Sequence, residues 1–204
     1  MSINPSLPAD LPPAVNRALQ VSAAGDTDEA IRLLRAAADE DPASALVQFL
    51  LGAELAQAGA IGDAEGAYAN AVLLAPQLHI ARFQLGLLQF TSGRAAIALL
   101  TWQPLLALPP DDPLPHFVRA FAALAGDRFS EAKEAFAAGI ARNSSNEPLN
   151  ADMRKVITGI DDLLQSQAGA PTALQPVELA GAAEPEAGDG AHVLLSNYHS
   201  QSTH

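Results

Sequence analysis

Bulky hydrophobic residues recur at a fixed interval through the first two-thirds of the chain. Four of them stand 34 positions apart, namely Leu34, Tyr68, Trp102 and Phe136. Small and turn-forming residues keep the same interval, as in Gly25, Gly59 and Gly93, in Ala30, Ala64 and Ala98, and in Pro42, Pro76 and Pro110. A unit with one core residue, one close-packing alanine, one helix-ending glycine and one closing proline predicts a pair of helices repeated along the chain.

The order of these landmarks resembles the tetratricopeptide-repeat family. The second unit matches best, with Leu51, Gly52, Leu55, Gly59, Ala64, Tyr68, Ala71 and Pro76 in sequence. The resemblance implies an all-α, right-handed superhelical solenoid of helix-turn-helix units. We expect four repeats, at 11–44, 45–78, 79–112 and 113–146, after an N-terminal extension at 1–10. The third has Leu105 where a small residue is usual, and in the fourth Gly126 comes one position early and the closing proline is missing.

A further amphipathic helix is predicted to cap the solenoid at 147–166. Its apolar residues form one stripe, consisting of Leu149, Met153, Val156, Ile157, Ile160, Leu163 and Leu164. The opposite face is polar, which suits a helix that covers the exposed hydrophobic end of a repeat array.

Composition changes at about residue 167. Residues 167–204 are rich in alanine, glycine, proline and glutamate and contain no lysine or arginine, which predicts a flexible acidic tail. A short apolar segment at 192–199 interrupts it, and Val193, Leu194, Leu195 and Tyr198 are candidates to dock against the folded part. A free terminus without function explains the same residues equally well.

The formal net charge of -12 argues against nucleic acid and anionic membranes as partners, because the chain lacks a basic patch. The absence of cysteine excludes disulfides and thiolate catalysis. Apolar stretches such as 117–126, which Arg119 interrupts, are too short to span a bilayer, and no secretory pattern is visible at the start. These features predict a cytoplasmic protein.

Candidate chemistry is sparse. His79 and His116 each stand alone, without a second ligand at helical spacing, and no phosphate loop, nucleophile elbow or zinc-protease motif occurs. We therefore expect no catalytic residues, no metal site and no cofactor.

The family resemblance implies that the first helix of each repeat lines a concave groove. At the groove positions we expect an apolar, aromatic surface formed by Leu46, Phe49, Ile80, Phe83, Leu87, Phe90, Leu114, Phe117, Phe121 and Leu124. Any single phenylalanine among them is more simply explained as ordinary core. As a set they suggest a surface covered by a partner or by the tail, since other bulky residues already occupy the core positions.

The leading functional hypothesis is a non-catalytic scaffold or adaptor that binds a protein or peptide through its hydrophobic anchors. A chaperone of a bacterial secretion-system subunit, an obligate structural subunit, a homo-oligomer and a tail-latched adaptor are the alternatives. The lysine and asparagine clamp of repeats that bind heat-shock chaperones is absent, since Val15, Leu19, Ile80 and Gln84 occupy those places.

Overall fold

The computed structural model describes residues 11–169, and within them it contains nine α-helices, one 3-10 helix and no β-strand. The α-helices are α1 (Pro13–Ala23), α2 (Thr27–Glu40), α3 (Ala45–Gln57), α4 (Ile61–Leu74), α5 (His79–Thr91), α6 (Ala95–Trp102), α7 (Leu114–Leu124), α8 (Phe129–Arg142) and α9 (Glu147–Gly169). The expected N-terminal extension at 1–10 lies outside the described residues.

Each predicted 34-residue unit contains two consecutive helices that pack against each other: α1 with α2, α3 with α4, α5 with α6, and α7 with α8. The second helix of each unit also contacts the first helix of the next one. The chain therefore advances one helix pair at a time, and the predicted all-α solenoid is confirmed. No helix among residues 11–169 is both long and apolar enough to cross a bilayer.

The turn inside each unit contains one residue whose backbone is in the left-handed conformation, with a positive φ. Gly25, Gly59 and Gly93 have φ values of 86°, 75° and 76°. In the fourth unit Asp127 takes this conformation, with φ 57°. Asp127 lies 34 residues after Gly93, so Gly126 is not the equivalent glycine and the fourth unit is not shifted. Aspartate is one of the few other residues that tolerate this conformation.

Bulky residues of the second helix pack against glycines of the first. A Cβ atom on Gly52 would lie 2.7 Å from Cδ1 of Tyr68, and one on Gly86 would overlap the indole of Trp102. The Trp102 Nε1–H donates a hydrogen bond to the carbonyl oxygen of Phe83 at 2.9 Å. Tyr68 and Trp102 recur 34 residues apart because each packs against the equivalent glycine of its own unit.

The third unit departs from the others at Pro104. Helix α6 ends at Trp102 and continues as a 3-10 helix over Gln103–Ala107, because proline has no N–H to continue the α-helical pattern. The change in winding places Leu105 fully inside the core. A large side chain is thus accommodated where a small one is usual.

Helix α9 caps the array, three residues longer than predicted. Met153, Val156 and Ile160 are buried in the same core cluster as side chains of α7 and α8. The turn into α9 is fixed by two buried amides, since Asn143 Nδ2 donates to Oδ1 of Asn150 at 2.9 Å and Asn150 Nδ2 donates to the Asn143 carbonyl at 2.7 Å. Residues 170–204, including the predicted docking segment, lie outside the described part of the chain.

Candidate functional site

The aromatic stripe predicted for the groove lies mostly inside the protein. Seven of the ten predicted groove side chains are buried, namely Ile80, Phe83, Phe90, Leu114, Phe117, Phe121 and Leu124. Leu46, Phe49 and Leu87 are half-buried. In this structure the seven are core residues, and five of them line neither of the two cavities described below; the exceptions, Ile80 and Leu114, line the cavity among the loops.

Stacking between units explains why these side chains are covered. Phe121 is 1% exposed, and its ring centroid lies 4.9 Å from that of Phe90, 5.1 Å from Trp102 and 5.0 Å from Phe136. We call the six rings of Phe83, Phe90, Trp102, Phe117, Phe121 and Phe136 the aromatic cluster. It joins the third unit to the fourth, and α9 closes the same core cluster.

A cleft lies between α9 and the inner helices, as we call the first helices of the units. Its volume is about 410 Å³, and it is lined by Ala56, Tyr68, Gln84, Leu87, Leu88, Thr91, Asp152, Met153, Lys155 and Val156. Leu87 is the one predicted groove residue that lines it. The sequence predicts only a capping role for Met153 and Val156 and a solvent-facing position for Asp152 and Lys155, because an amphipathic pattern does not show which neighbouring helix lies beside the border of its apolar face.

A buried carboxylate acts on Tyr68, one of the side chains that line the cleft. The Glu54 side chain is only 9% exposed. Its Oε1 accepts a hydrogen bond from the Ser22 hydroxyl at 2.6 Å, whereas Oε2 has no donor among the described residues. Burial raises the pKa of the Tyr68 phenol, and the negative charge of Glu54 raises it further. Both effects disfavour the phenolate.

Comparison with known proteins gives structural relatives only. No family model and no curated protein matches the sequence. Among solved structures, YrrB, a TPR protein with an unusual peptide-binding site, has a TM-score of 0.54 and 17% identity over 96% of this chain and 88% of its own. The chain has the tetratricopeptide-repeat fold.

Two further structures agree with this tetratricopeptide-repeat assignment. MamA 41-end from Desulfovibrio magneticus RS-1 matches with a TM-score of 0.54 and 17% identity, over 76% of this chain and 94% of that one. The APC/C hetero-tetramer Cut9-Hcn1 gives a TM-score of 0.63 and 20% identity, over 74% of this chain but only 30% of that one. At such identities the likeness shows the fold alone.

The raised pKa of Tyr68 gives a testable pH dependence. In a Tyr198→Phe variant Tyr68 is the one remaining tyrosine, and we expect no phenol titration near pH 10, where a free tyrosine ionises. Because the folded-state pKa lies above the unfolded one, the free energy of unfolding should hold up to about pH 10 and fall above it. Absorbance at about 295 nm follows the titration, and denaturation at stepped pH follows stability. A phenol that titrates near pH 10 in the folded chain would contradict the buried position.

A hydrogen-bonded network fixes the second tetratricopeptide repeat against the third. The Arg94 guanidinium donates to both Glu65 oxygens, at 3.0 and 2.6 Å, and Gln89 Nε2 donates to Glu65 Oε1 at 3.2 Å. Thr101 in turn donates to Gln89 at 2.7 Å. The hydrogen bond from Arg94 lowers the pKa of Glu65. The network ties α4, α5 and α6 together, and the repeat landmarks gave no sign of it.

A second cavity, of about 560 Å³, opens among the loops that join the repeats. Its wall includes His79, Asp111, Asp112, Arg142 and Ser144. Arg142 Nε donates to the Pro110 carbonyl, which also lies 2.9 Å from His116 Nε2. These polar groups therefore hold the loop at Pro110 in place. Among the described residues no group of three or more histidines or acidic residues could hold a metal ion.

Proposed function

We propose that this chain is a non-catalytic protein-interaction module that binds a polypeptide segment in the cleft between α5 and α9. The observation that carries the proposal is the cleft itself, with an apolar floor at Leu87, Leu88 and Met153 and polar groups at Gln84 and Lys155. Apolar pockets with a few polar groups at the edge are typical binding sites. The fold supports the same conclusion, since YrrB is a TPR protein with a peptide-binding site.

The size of the cleft defines the segment that it would accept. A volume of about 410 Å³ holds one or two large apolar side chains rather than the whole face of a helix. Farther along the inner surface, Leu46 and Phe49 are half-buried and would extend the contact. We therefore expect an extended segment with two hydrophobic anchors, and no catalysis, cofactor or nucleic acid.

The chain contains one segment of this kind. Residues 192–199 include Val193, Leu194, Leu195 and Tyr198. Met153 lies 16 residues before the end of α9, which is about 24 Å along the helix. Since the composition predicts a flexible tail, the 22 residues from 170 to 191 would have a root-mean-square span of about 23 to 28 Å as a random coil. Effective concentration is highest when the linker span matches the distance, so this segment is a suitable probe.

The test uses a fluorescent peptide copy of residues 188–204 and a chain ending at Gly169, which keeps every described helix. We expect saturable binding, weakened on the order of tenfold or more by Leu87→Glu, because a carboxylate would be placed on the apolar floor. Leu73→Glu is the matched control, since Leu73 lies on the outer surface with 79% exposure. Anisotropy gives the affinities, and circular dichroism confirms that the variants are folded.

Equal binding by the Leu87→Glu and Leu73→Glu variants would reject the cleft as the site. If the full chain binds the peptide more weakly than the shortened chain, its own tail competes, as a tail-latched adaptor requires.

The same cleft would serve a scaffold or adaptor in a cytoplasmic complex, or a chaperone of a bacterial secretion-system subunit. An obligate structural subunit differs from these in one property. It would aggregate or oligomerise through its cleft when expressed alone, whereas an adaptor or chaperone keeps the cleft free.

A further inference from the structure

The outer surface of the protein carries a concentration of exposed large apolar side chains. Within the described part of the chain, all six such residues lie between 61 and 106, on α4, α6 and the 3-10 helix of the second and third repeats: Ile61, Leu73, Leu74, Ile97, Leu100 and Leu106. Leu73 and Leu100 are the most open, with 79% and 71% exposure. Contiguous apolar surface of this kind commonly marks an interaction site.

The repeat symmetry shows that the two helices contribute to one surface. We call the second helices of the units, α2, α4, α6 and α8, the outer helices. Arg35 on α2 and Asp63 on α4 form an ion pair at 3.1 Å across two neighbouring outer helices. The positions one repeat later are Ala69 on α4 and Ile97 on α6. Leu73 and Leu100 each lie one turn further along these helices. By this symmetry Leu73 and Leu100 are expected to lie beside each other, and we call α4 and α6 with their exposed side chains the outer apolar face.

Charge is almost absent from this face. Along 61–74 and 95–107 the charged residues are the exposed Asp63, which pairs with Arg35, and the half-buried Glu65, which pairs with Arg94. The flanking outer helices are charged, since α2 carries Arg32 and α8 carries Glu134. Two copies of a chain with net charge -12 repel each other in general, and this face is where the repulsion is smallest.

One set of equivalent positions on the four outer helices would be self-complementary in a two-fold dimer. Residues at equivalent positions on the four outer helices are Arg32, Gly66, Leu100 and Glu134, all exposed and 34 residues apart. A two-fold axis between the second and third repeats would place Leu100 of one copy over Gly66 of the other, and Arg32 opposite Glu134. A projecting leucine then meets a position without a side chain, and a positive charge meets a negative one.

We propose that this chain forms a two-fold symmetric homodimer through the outer apolar face. In such an isologous contact the same patch serves both copies. Because the outer side of a solenoid is convex, the contact centres on α4 and α6, and the long Arg32 and Glu134 side chains bridge its edges. Arg32 holds Glu29 of its own helix through Nε and Nη2, which leaves Nη1 for the partner. The cleft lies on the inner helices and stays open in the dimer.

The full chain is examined by sedimentation velocity across a concentration series. We expect a monomer–dimer equilibrium with half of the chain dimeric at about 1 to 100 μM, at the weak end of the range that protein interfaces show. Leu100→Glu should weaken dimerisation by about 30-fold or more, because it buries carboxylates against apolar surface. Ala151→Glu, which adds the same charge to an exposed position on α9, should leave it unchanged.

Charge reversal tests the geometry of the contact. Arg32→Glu and Glu134→Arg should each weaken the dimer by roughly fivefold to tenfold, and the double variant should recover most of the loss. A wild-type chain that stays monomeric throughout the series overturns the proposal, as does unchanged dimerisation of Leu100→Glu. Failure of the double variant to recover overturns the two-fold arrangement. Peptide binding by Leu100→Glu should equal that of the wild type, which keeps this result separate from the test of the cleft.

Discussion

Gly86→Ala is expected to lower the free energy of unfolding by about 2 to 5 kcal/mol, the combined effect of overpacking and a disturbed buried hydrogen bond. The new methyl group would overlap the Trp102 indole, which is fully buried and donates its N–H to the Phe83 carbonyl. Neither partner has room to move, because the rings of Phe83 and Phe90 stack on the same indole at centroid distances of 5.6 and 6.0 Å.

Gly66→Ala is the matched control for this change. Gly66 lies inside helix α4, and a Cβ atom there would meet no heavy atom within 4 Å beyond the chain neighbours and the backbone of its own helix. Alanine should therefore raise the free energy of unfolding by up to about 1 kcal/mol through helix propensity alone. Urea denaturation followed by circular dichroism compares the two at low protein concentration. Equal effects of the two substitutions would show that the indole does not pack against Gly86.

Phe121→Ala is expected to lower the free energy of unfolding by about 3 to 5 kcal/mol, because it leaves a cavity at the centre of the aromatic cluster. The ring contacts Phe90, Trp102 and Phe136, the last in an edge-on arrangement at 90°. These contacts come from three helices, α5, α6 and α8. The substitution should therefore destabilise the third and fourth repeats together.

Phe49→Ala provides the comparison, since Phe49 is half-buried and its one ring contact within residues 11–169 is with Tyr68, at a centroid distance of 5.9 Å. We expect a loss of about 1 to 2 kcal/mol for this variant. Chemical denaturation followed by the fluorescence of Trp102, the one tryptophan in the chain, measures both. A smaller loss for Phe121→Ala than for Phe49→Ala would mean that Phe121 is a surface residue, as the groove hypothesis required.

The 34-residue interval was sufficient to predict the helix pairs. Gly86 and Trp102 occupy fixed places in that interval, and the structure packs one against the other. The interval also held where the sequence seemed to break it, since Asp127 adopts the left-handed turn conformation expected of a glycine. These contacts are local to one unit, and a repeating pattern contains the information for them.

Contacts between units were not predictable in the same way. Phe83 and Phe121 each lie on the first helix of a unit, but only the stacking of the fourth unit on the third decides that their rings are covered. Leu73 and Leu100 show the opposite case, since they look like core leucines in the sequence and lie on the surface. Helices α4 and α6 are apolar on more than one side, so periodicity cannot distinguish their buried face from their exposed one.

The aromatic cluster also bears on how this array could have grown. Repeat arrays lengthen by duplication of whole units when each unit contacts its neighbours in an interchangeable way. Here Phe83 and Trp102 of one repeat share their packing with Phe121 and Phe136 of the next. A unit inserted between these two repeats would separate the rings, and each half of the aromatic cluster would then need another partner to cover it. Insertion of a unit at the junction between the third and fourth repeats is therefore expected to destabilise the array more than insertion on the N-terminal side of it.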